Sequence, residues 1–339
     1  MSLHKIIVVG CGDMANIWLD YVQQRKNAKI VALVDLNEGA AIRKKEQRNL
    51  EVPVYTDLKT AILQTQATLV FDVTIPAAHK TVVSTALTNG CDVFGEKPMA
   101  ENIQDAEELI KIAEATGQTY TVMQNRRYLK QIRQLHHLVQ NGKIGDIKEL
   151  HADFFLGPHF GGFREQMESP LIIDMAIHTF DQARFIAGCN PSSVYCYEFN
   201  PKGSWYDGNA SAICIYEMEN GSVFSYRGSW CAEGFPTSWE SEWRVIGTKG
   251  TAKWDGFNTP SSEIVAEVSS GEFIKTTKQM SNDFQWQGRE GHFGCLDEMF
   301  AGLEENRRAE TDCHDNINSM KMVFAALESA KTGKKVEII

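Results

Sequence analysis

The segment Asp174–Asp181, "DMAIHTFD", places two carboxylates and an imidazole at positions i, i+4 and i+7. At about 100° per residue, Asp174, His178 and Asp181 would share one face of a helix. Ile173, Ile177 and Phe180 repeat the same spacing beside them and form an apolar stripe. Three chemistries suit that arrangement: a solvated helix edge, a metal seat or a proton-transfer pair. Histidine fits the last, because its ordinary pKa near 6.5 lets it take and return a proton near neutral pH.

Three other stretches carry chemistry. "VVGCGDMA" reads Gly10-x-Gly12-x-x-Ala15, directly after an apolar strand and opening a helix. Gly10 permits the tight turn, Gly12 lets backbone approach a pyrophosphate, and Ala15 lets the helix pack closely on a sheet. The helix N-terminus, with Asp13 and Met14 in the same turn, offers amides and partial positive charge to phosphate. "KIVALVD" ends in Asp35, where an acid accepts the ribose hydroxyls. That acid would repel a 2′-phosphate and Leu36 follows it, so NAD is expected over NADP; Arg43 and Lys44 are the side chains whose swing toward the ribose would oppose this. "VFGEKPMA" sets Glu96 and Lys97 just past a strand's carboxyl end, the edge where doubly wound sheets bind ligands.

The elements that must position these residues follow from periodicity. Strands are expected at Lys5–Val9, Ile30–Asp35, Leu69–Val73, Asp92–Phe94 and Tyr120–Gln124, with amphipathic segments near 14–26, 38–49, 77–89 and 103–116 between them. Strands spaced by helices make βαβ units and a parallel sheet covered on both faces. After a helix over 129–140, strands recur ("IKELHADFFL", "SVYCYEF", "ASAICIYEM", "GSVFSYRGSW", "SEWRVIGTKGTAKW", "SEIVAEV") with turn signals between them. "DMAIHTFD" interrupts this region, with Ser169-Pro170 as expected helix start and Gly188 as stop. Helices return near 290–306 and 315–332. These patterns alone give a doubly wound parallel sheet over the first ~125 residues, then an antiparallel meander with helices at the end.

The chain has 339 residues and a formal charge of −10, with 34 basic against 44 acidic side chains. Acidity disfavours nucleic acid and anionic membrane as partners, since phosphate recognition needs clustered Lys and Arg. The densest basic run, "IRKKEQR" (42–48), is read as a solvated helix face. No run reaches the ~18 apolar residues of a membrane span, and no signal peptide is expected from the residues that open the sequence. Eight scattered cysteines without a Cys-x-x-Cys pair suit reduced thiols and a cytoplasmic protein.

The motifs in order are the glycine turn, Asp35, "TIPAAH" (74–79), "EKP", "NRRY" (125–128), and Asp-x-x-x-His, with "VIGTKGTAKW" and "ALESAKTGKKVEI" near the end. Together they resemble the Gfo/Idh/MocA family (glucose–fructose oxidoreductase, inositol dehydrogenase, rhizopine catabolism) nearly end to end. The resemblance implies an α/β plus α+β architecture, with a doubly wound Rossmann domain over 1–125, an α+β domain over 126–339 with a large open, mainly antiparallel sheet, and the last helices packing back on the first domain. It also implies a nicotinamide-dependent oxidoreductase acting on a hydroxyl or ketone carbon of a sugar, inositol or polyol. It implies Lys97, Asp174 and His178 as the catalytic set, with Asp181 and Arg127 facing substrate. Thr74, Pro76 and His79 would lie by the nicotinamide half of the cofactor, and Glu96 beside its ribose. His178 would act as general acid/base, Asp174 would orient it, and Lys97 would stabilise charge on the reacting oxygen.

This sequence departs from the family pattern in two places. "ESPLIID" replaces a glycine-rich approach, and Ala176 stands where a glycine is common. Substrate choice is therefore expected from loops 156–170, with "GPHFGGFREQM", and 228–240. Rival readings are a metal site seeded by His178 with Asp174 or Asp181 and completed by His159 or His151, an NAD-assisted glycoside hydrolase, and a non-catalytic NAD-binding regulator. No metal is expected, because Lys97 would repel a cation; the regulator reading is disfavoured because a sensor has no need of the full Lys97/Asp174/His178 set. Of the tryptophans, Trp230 is the expected substrate contact, and His136-His137 is read as surface. An exposed sheet face would require a homodimer or homotetramer.

Overall fold

The computed structural model describes residues 3–266 and 271–339. The chain divides into two compact units, Met1–Asn125 with Arg289–Met320, and Arg126–Gly288 with Lys321–Ile339.

The first unit alternates β1 (His4–Val9), α1 (Ala15–Gln23), β2 (Ala28–Val34), α2 (Glu38–Gln47), β3 (Val54–Tyr55), α3 (Leu58–Thr65), β4 (Leu69–Asp72), α4 (Pro76–Thr88), β5 (Asp92–Gly95), α5 (Ile103–Thr116) and β6 (Tyr120–Val122). Its six strands run in the order β3-β2-β1-β4-β5-β6, all parallel. The order reverses between β1 and β4, the switch point where such sheets open a crevice. Strands β1 and β4 are buried almost throughout, as a sheet covered on both faces demands. Short β3 and α3 were not foreseen, because two-residue strands and eight-residue helices leave little periodicity.

The remaining elements are α6 (Lys130–Gln140), β7 (Ile147–Phe155), a six-residue π turn (Leu171–Ala176) running into α7 (Ile177–Ala187), β8 (Pro191–Phe199), β9 (Ser211–Met218), β10 (Val223–Ser229), β11 (Glu242–Gly247), β12 (Gly250–Trp254), β13 (Ser261–Val265), β14 (Thr277–Met280), α8 (Gly291–Glu305), α9 (Cys313–Thr332) and β15 (Val336–Glu337). The second sheet has nine strands, β14-β13-β12-β11-β7-β10-β9-β8-β15, antiparallel except for the β7/β10 pair. The strand expected over 262–268 is described as far as Val265, and residues 267–268 lie outside the described part.

Each unit has an aromatic core. In the first, Phe300 of α8 meets Phe71 and Phe94 edge-on and stacks on Tyr21, while Trp18 meets Phe71. In the second, Phe180 of α7 meets Tyr216, Phe224 and Tyr226 of the sheet. Burying such a ring contributes about 1.5–3 kcal/mol, which seats α7 on the sheet before any polar contact is counted.

Candidate functional site

In the first unit, Gly10 has φ +91°, and a Cβ there would lie 2.5 Å from the Val73 carbonyl oxygen. The Gly10 N–H donates to Val34 O at 2.9 Å, so the turn bends tightly over β2 and β4. At Gly12 a Cβ would meet nothing within 4 Å, leaving an open approach to backbone. No side chain caps α1, and its first turn holds no acid, so its N-terminal field is left for an anion. Asp35 accepts from Cys11 N–H through Oδ2 and from Asn37 N–H through Oδ1, both at 2.8 Å. It lines one cleft with Cys11, Gly12, Asp13, Asn37, Ala40, Arg43, Lys44 and Gln47. Burial, reinforced by the Asp35 carboxylate, pushes the Cys11 thiol up to about 12, so it lines the cleft uncharged. Ala15 is buried and Met14 exposed, so only the latter reaches outward. Lys44 corrects the expected solvated face of α2: it is 3 % exposed and donates to Asn16 Oδ1 at 2.8 Å.

At the ends of β4 and β5, His79 Nδ1 pairs with Asp72 Oδ2 at 2.8 Å, and both side chains are buried. Thr74 donates its hydroxyl to Asp72 Oδ1 at 2.5 Å, while Ile75 and Pro76 are exposed at the α4 N-terminus. His79 is thus held beneath the β4–α4 turn. Glu96 accepts from Trp18 Nε1 at 2.9 Å; burial raises its pKa, against the Trp18 hydrogen bond and the charge of Lys97. Lys97 follows it half-buried, with a cis bond to Pro98.

In the second unit, "DMAIHTFD" differs from the expected amphipathic edge. Asp174 lies in the π turn, and α7 is buried almost all round, with His178 7 % and Asp181 2 % exposed. A solvated edge is therefore excluded, and the wide turn sets Asp174 apart from strict α spacing. Ser169 does not cap this segment; its hydroxyl donates to Glu198 Oε2 at 2.9 Å. Arg127 grips Asp181 at both ends, Nε to Oδ2 at 2.6 Å and Nη2 to Oδ1 at 2.7 Å. Both lie buried in a bidentate pair, with Arg184 3.7 Å from the same carboxylate. Gln182 donates to Glu240 Oε2 at 2.8 Å, Arg126 to Glu240 Oε1 at 3.0 Å, and Thr179 Oγ1 lies 3.3 Å from Ser241 Oγ. Sequence reading missed Arg126, Gln182, Glu240 and Arg164, because each gains meaning only from a partner distant in the chain. Arg164 Nε donates to Asp174 Oδ2 at 2.7 Å.

Trp230 is 1 % exposed, meeting Phe160 edge-on at 5.2 Å and stacking with Tyr206 at 6.0 Å. His136 is corrected from surface to docked: it stacks on Phe185 at 4.1 Å with Nδ1 2.8 Å from the Phe185 carbonyl oxygen. His159 stacks on Trp205 and pairs with Glu233, and His151 bonds Ser225 and Glu149. Among the described residues, no three His, Cys, Asp or Glu side chains gather to hold a metal, and no helix is long and apolar enough to cross a membrane.

Residues 4–124 match the model of an oxidoreductase family with an NAD-binding Rossmann fold, and residues 132–253 match that of the GFO/IDH/MocA C-terminal domain. The chain belongs to the Gfo/Idh/MocA family. This Gfo/Idh/MocA protein is an NAD-dependent oxidoreductase. It is 24% identical to D-apiose dehydrogenase of Rhizobium rhizogenes, over 100% of this chain and 98% of that protein. It is 25% identical to myo-inositol 2-dehydrogenase of Thermotoga maritima over 56% of this chain and 57% of that one. Its fold matches an Agrobacterium radiobacter oxidoreductase solved with NAD+, L-tartaric acid and magnesium, at TM-score 0.85 and 22% identity, covering 99% of each chain.

Proposed function

We propose that this protein interconverts a hydroxyl and a ketone on a sugar, inositol or related polyol, with His178 as general acid/base and Lys97 polarising the reacting oxygen. The observation that carries the reading is the junction of the π turn with α7. It holds Asp174 half-buried and His178 buried on a helix fixed by its own unit. The fit to the cofactor rests on the open approach at Gly12, the uncapped α1 and the Asp35 carboxylate. Gly10, Gly12, Asp13, Met14 and Ala15 would hold the phosphates, Asp35 a ribose, and Thr74, Pro76, His79 and Glu96 the other half. Bound NAD supplies the hydride acceptor. His178 takes the hydroxyl proton during oxidation and returns it in the reverse direction. The Lys97 ammonium lowers the cost of negative charge on that oxygen. Asp174 biases the imidazole toward accepting the proton. Arg127 and Asp181, bonded to one another, support α7 and present its pocket-facing side, while Trp230, 1 % exposed between Phe160 and Tyr206, would back the pocket wall from behind instead of touching the substrate. The relatives named as sugar and inositol dehydrogenases support the substrate class. We further propose a homodimer or homotetramer built on the exposed face of the second sheet, in the cytoplasm.

The test is a panel of polyols, inositols and sugars with NAD and NADP, followed by absorbance of the reduced cofactor. NAD reduction by at least one class is expected, with His178→Ala losing about 100-fold or more in kcat while still binding NADH. Silence across the panel, or near-normal turnover by His178→Ala, would overturn the assignment.

A further inference from the structure

The loop over 157–168 carries a cation that the proposed reaction does not use. Arg164 donates through Nε alone to Asp174, at 2.7 Å. Its guanidinium lies over two aromatic rings, 5.3 Å from Phe160 and 4.8 Å from Phe163. Among the described residues, neither terminal nitrogen of Arg164 makes a hydrogen bond, and neither is sealed from solvent. The loop that carries it is pinned: Asp207 N–H donates to Glu165 O and Asn209 N–H to Glu168 O, both at 2.8 Å. Gly208 is crowded against the Met167 and Glu168 carbonyls, so no side chain fits between the two segments. A guanidinium fixed by its own carboxylate, two ring faces and a braced backbone has lost much of its rotamer freedom before any ligand arrives.

We infer that Arg164 is a specificity-determining residue and that its end-on N–H pair receives a carboxylate of the substrate, making a sugar acid the preferred substrate. This rests on the dehydrogenase reading of the same site. Two parallel N–H donors match the two oxygens of a planar carboxylate, and charge assistance makes those bonds about twice as strong as neutral ones. Asp174 stays on Nε, so the guanidinium bridges the catalytic carboxylate and the substrate's. A phosphate is disfavoured, since one cation serves it poorly and Glu165 and Glu233 lie on the same loops. Glu165 is turned to the Gly161 N–H at 2.7 Å, and Glu233 to His159 at 3.2 Å.

The experiment titrates NAD-loaded protein with matched pairs, glucuronate against glucose and gluconate against sorbitol, following tryptophan fluorescence and NADH formation in parallel. Wild-type protein is expected to bind each acid at least about tenfold tighter than its neutral counterpart. Arg164→Gln should bring that ratio close to one, and Arg164→Lys should restore part of it, with melting curves confirming that both variants fold. Equal binding of acid and neutral by the wild type, or a ratio unmoved in Arg164→Gln, would overturn the inference. The two readouts separate the claims. Lost acid preference without any NADH formation sustains the carboxylate site and counts against the dehydrogenase reading. NADH formation with an unmoved ratio does the reverse.

Discussion

Asp181 and Arg127 show how little a residue's type reveals before its partner is known. Spacing put Asp181 on the face of His178, and the "NRRY" position put Arg127 toward the same substrate. In the fold they hold each other, 2 % and 5 % exposed. Breaking such a pair leaves one charge buried without compensation, at a cost of about 3–5 kcal/mol. Asp181→Ala would also leave Arg184 facing Arg127, so it should cost more than Arg127→Met. The double variant Arg127→Met/Asp181→Leu should recover most of the loss, because two apolar groups replace two desolvated ions. Urea midpoints check all three, and an unmoved midpoint in Asp181→Ala would show that water reaches the pair. Arg164 was illegible for a similar reason. A lone arginine in a glycine-rich loop carries no signal until its loop folds against residues 207–209. The glycine turn and Asp35 were legible because a strand, a Gly-x-Gly turn and an acid ending the next strand form a short ordered pattern of residue types, whatever their partners.

Among the elements, the β1–α1 turn and the π turn make opposite demands. At Gly10 the backbone has φ +91° and no room for a methyl, so Gly10→Ala brings both steric contact and left-handed strain. Left-handed strain alone costs about 1–3 kcal/mol, and a displaced turn also moves the amides offered to the pyrophosphate. Gly10→Ala should therefore both lower the urea midpoint and weaken NADH binding, measured by fluorescence titration, whereas Gly12→Ala should leave the midpoint in place and weaken NADH binding alone, since a methyl at Gly12 enters the open space offered to the pyrophosphate. The π turn depends instead on β8. Glu198 accepts from Ser169, and burial lifts its carboxyl from 4.5 to about 7, only partly offset by that hydrogen bond. A carboxyl raised in the fold binds its proton more tightly folded than unfolded. Stability should therefore fall as pH rises from about 4.5 to about 7 and then level off. Glu198→Gln should remove this slope, and urea midpoints at pH 5 and pH 8 would then converge relative to wild type. The expected Ser169 cap failed because Glu198, 29 residues later, claims the hydroxyl. Sequence spacing gave α7 its place and its Gly188 stop, but π winding leaves no mark in a hydrophobic pattern.

At the scale of the molecule, order along the chain concealed one join and exposed another surface. The first unit is discontinuous: α8 returns Phe300 to the strands that hold Phe71 and Phe94, some 200 residues earlier in sequence. The alternation of strand and helix made the parallel sheet legible; that late aromatic contact was open only to the expectation that the last helices pack back. In the second sheet, alternation predicted one buried and one outward face. Tyr195, Tyr197, Ile213 and Ile215 are 45%, 61%, 42% and 46% exposed, and register pairs Tyr195 with Ile215 and Tyr197 with Ile213. Ile213 also lies opposite Arg227, which pairs in turn with Asp153 on β7. An apolar block beside a charge pair of both signs is self-complementary, as a two-fold interface requires, because each partner presents the same patch reversed. Placing a carboxylate at its centre would desolvate unpaired charge in every copy of that contact. Ile213→Glu with Ile215→Glu should lower the sedimentation mass toward that of one 38.0 kDa chain with an unshifted far-UV melt. An unchanged assembly would show that the subunits meet elsewhere, and a wild type already sedimenting as one chain would remove the need for a covered face.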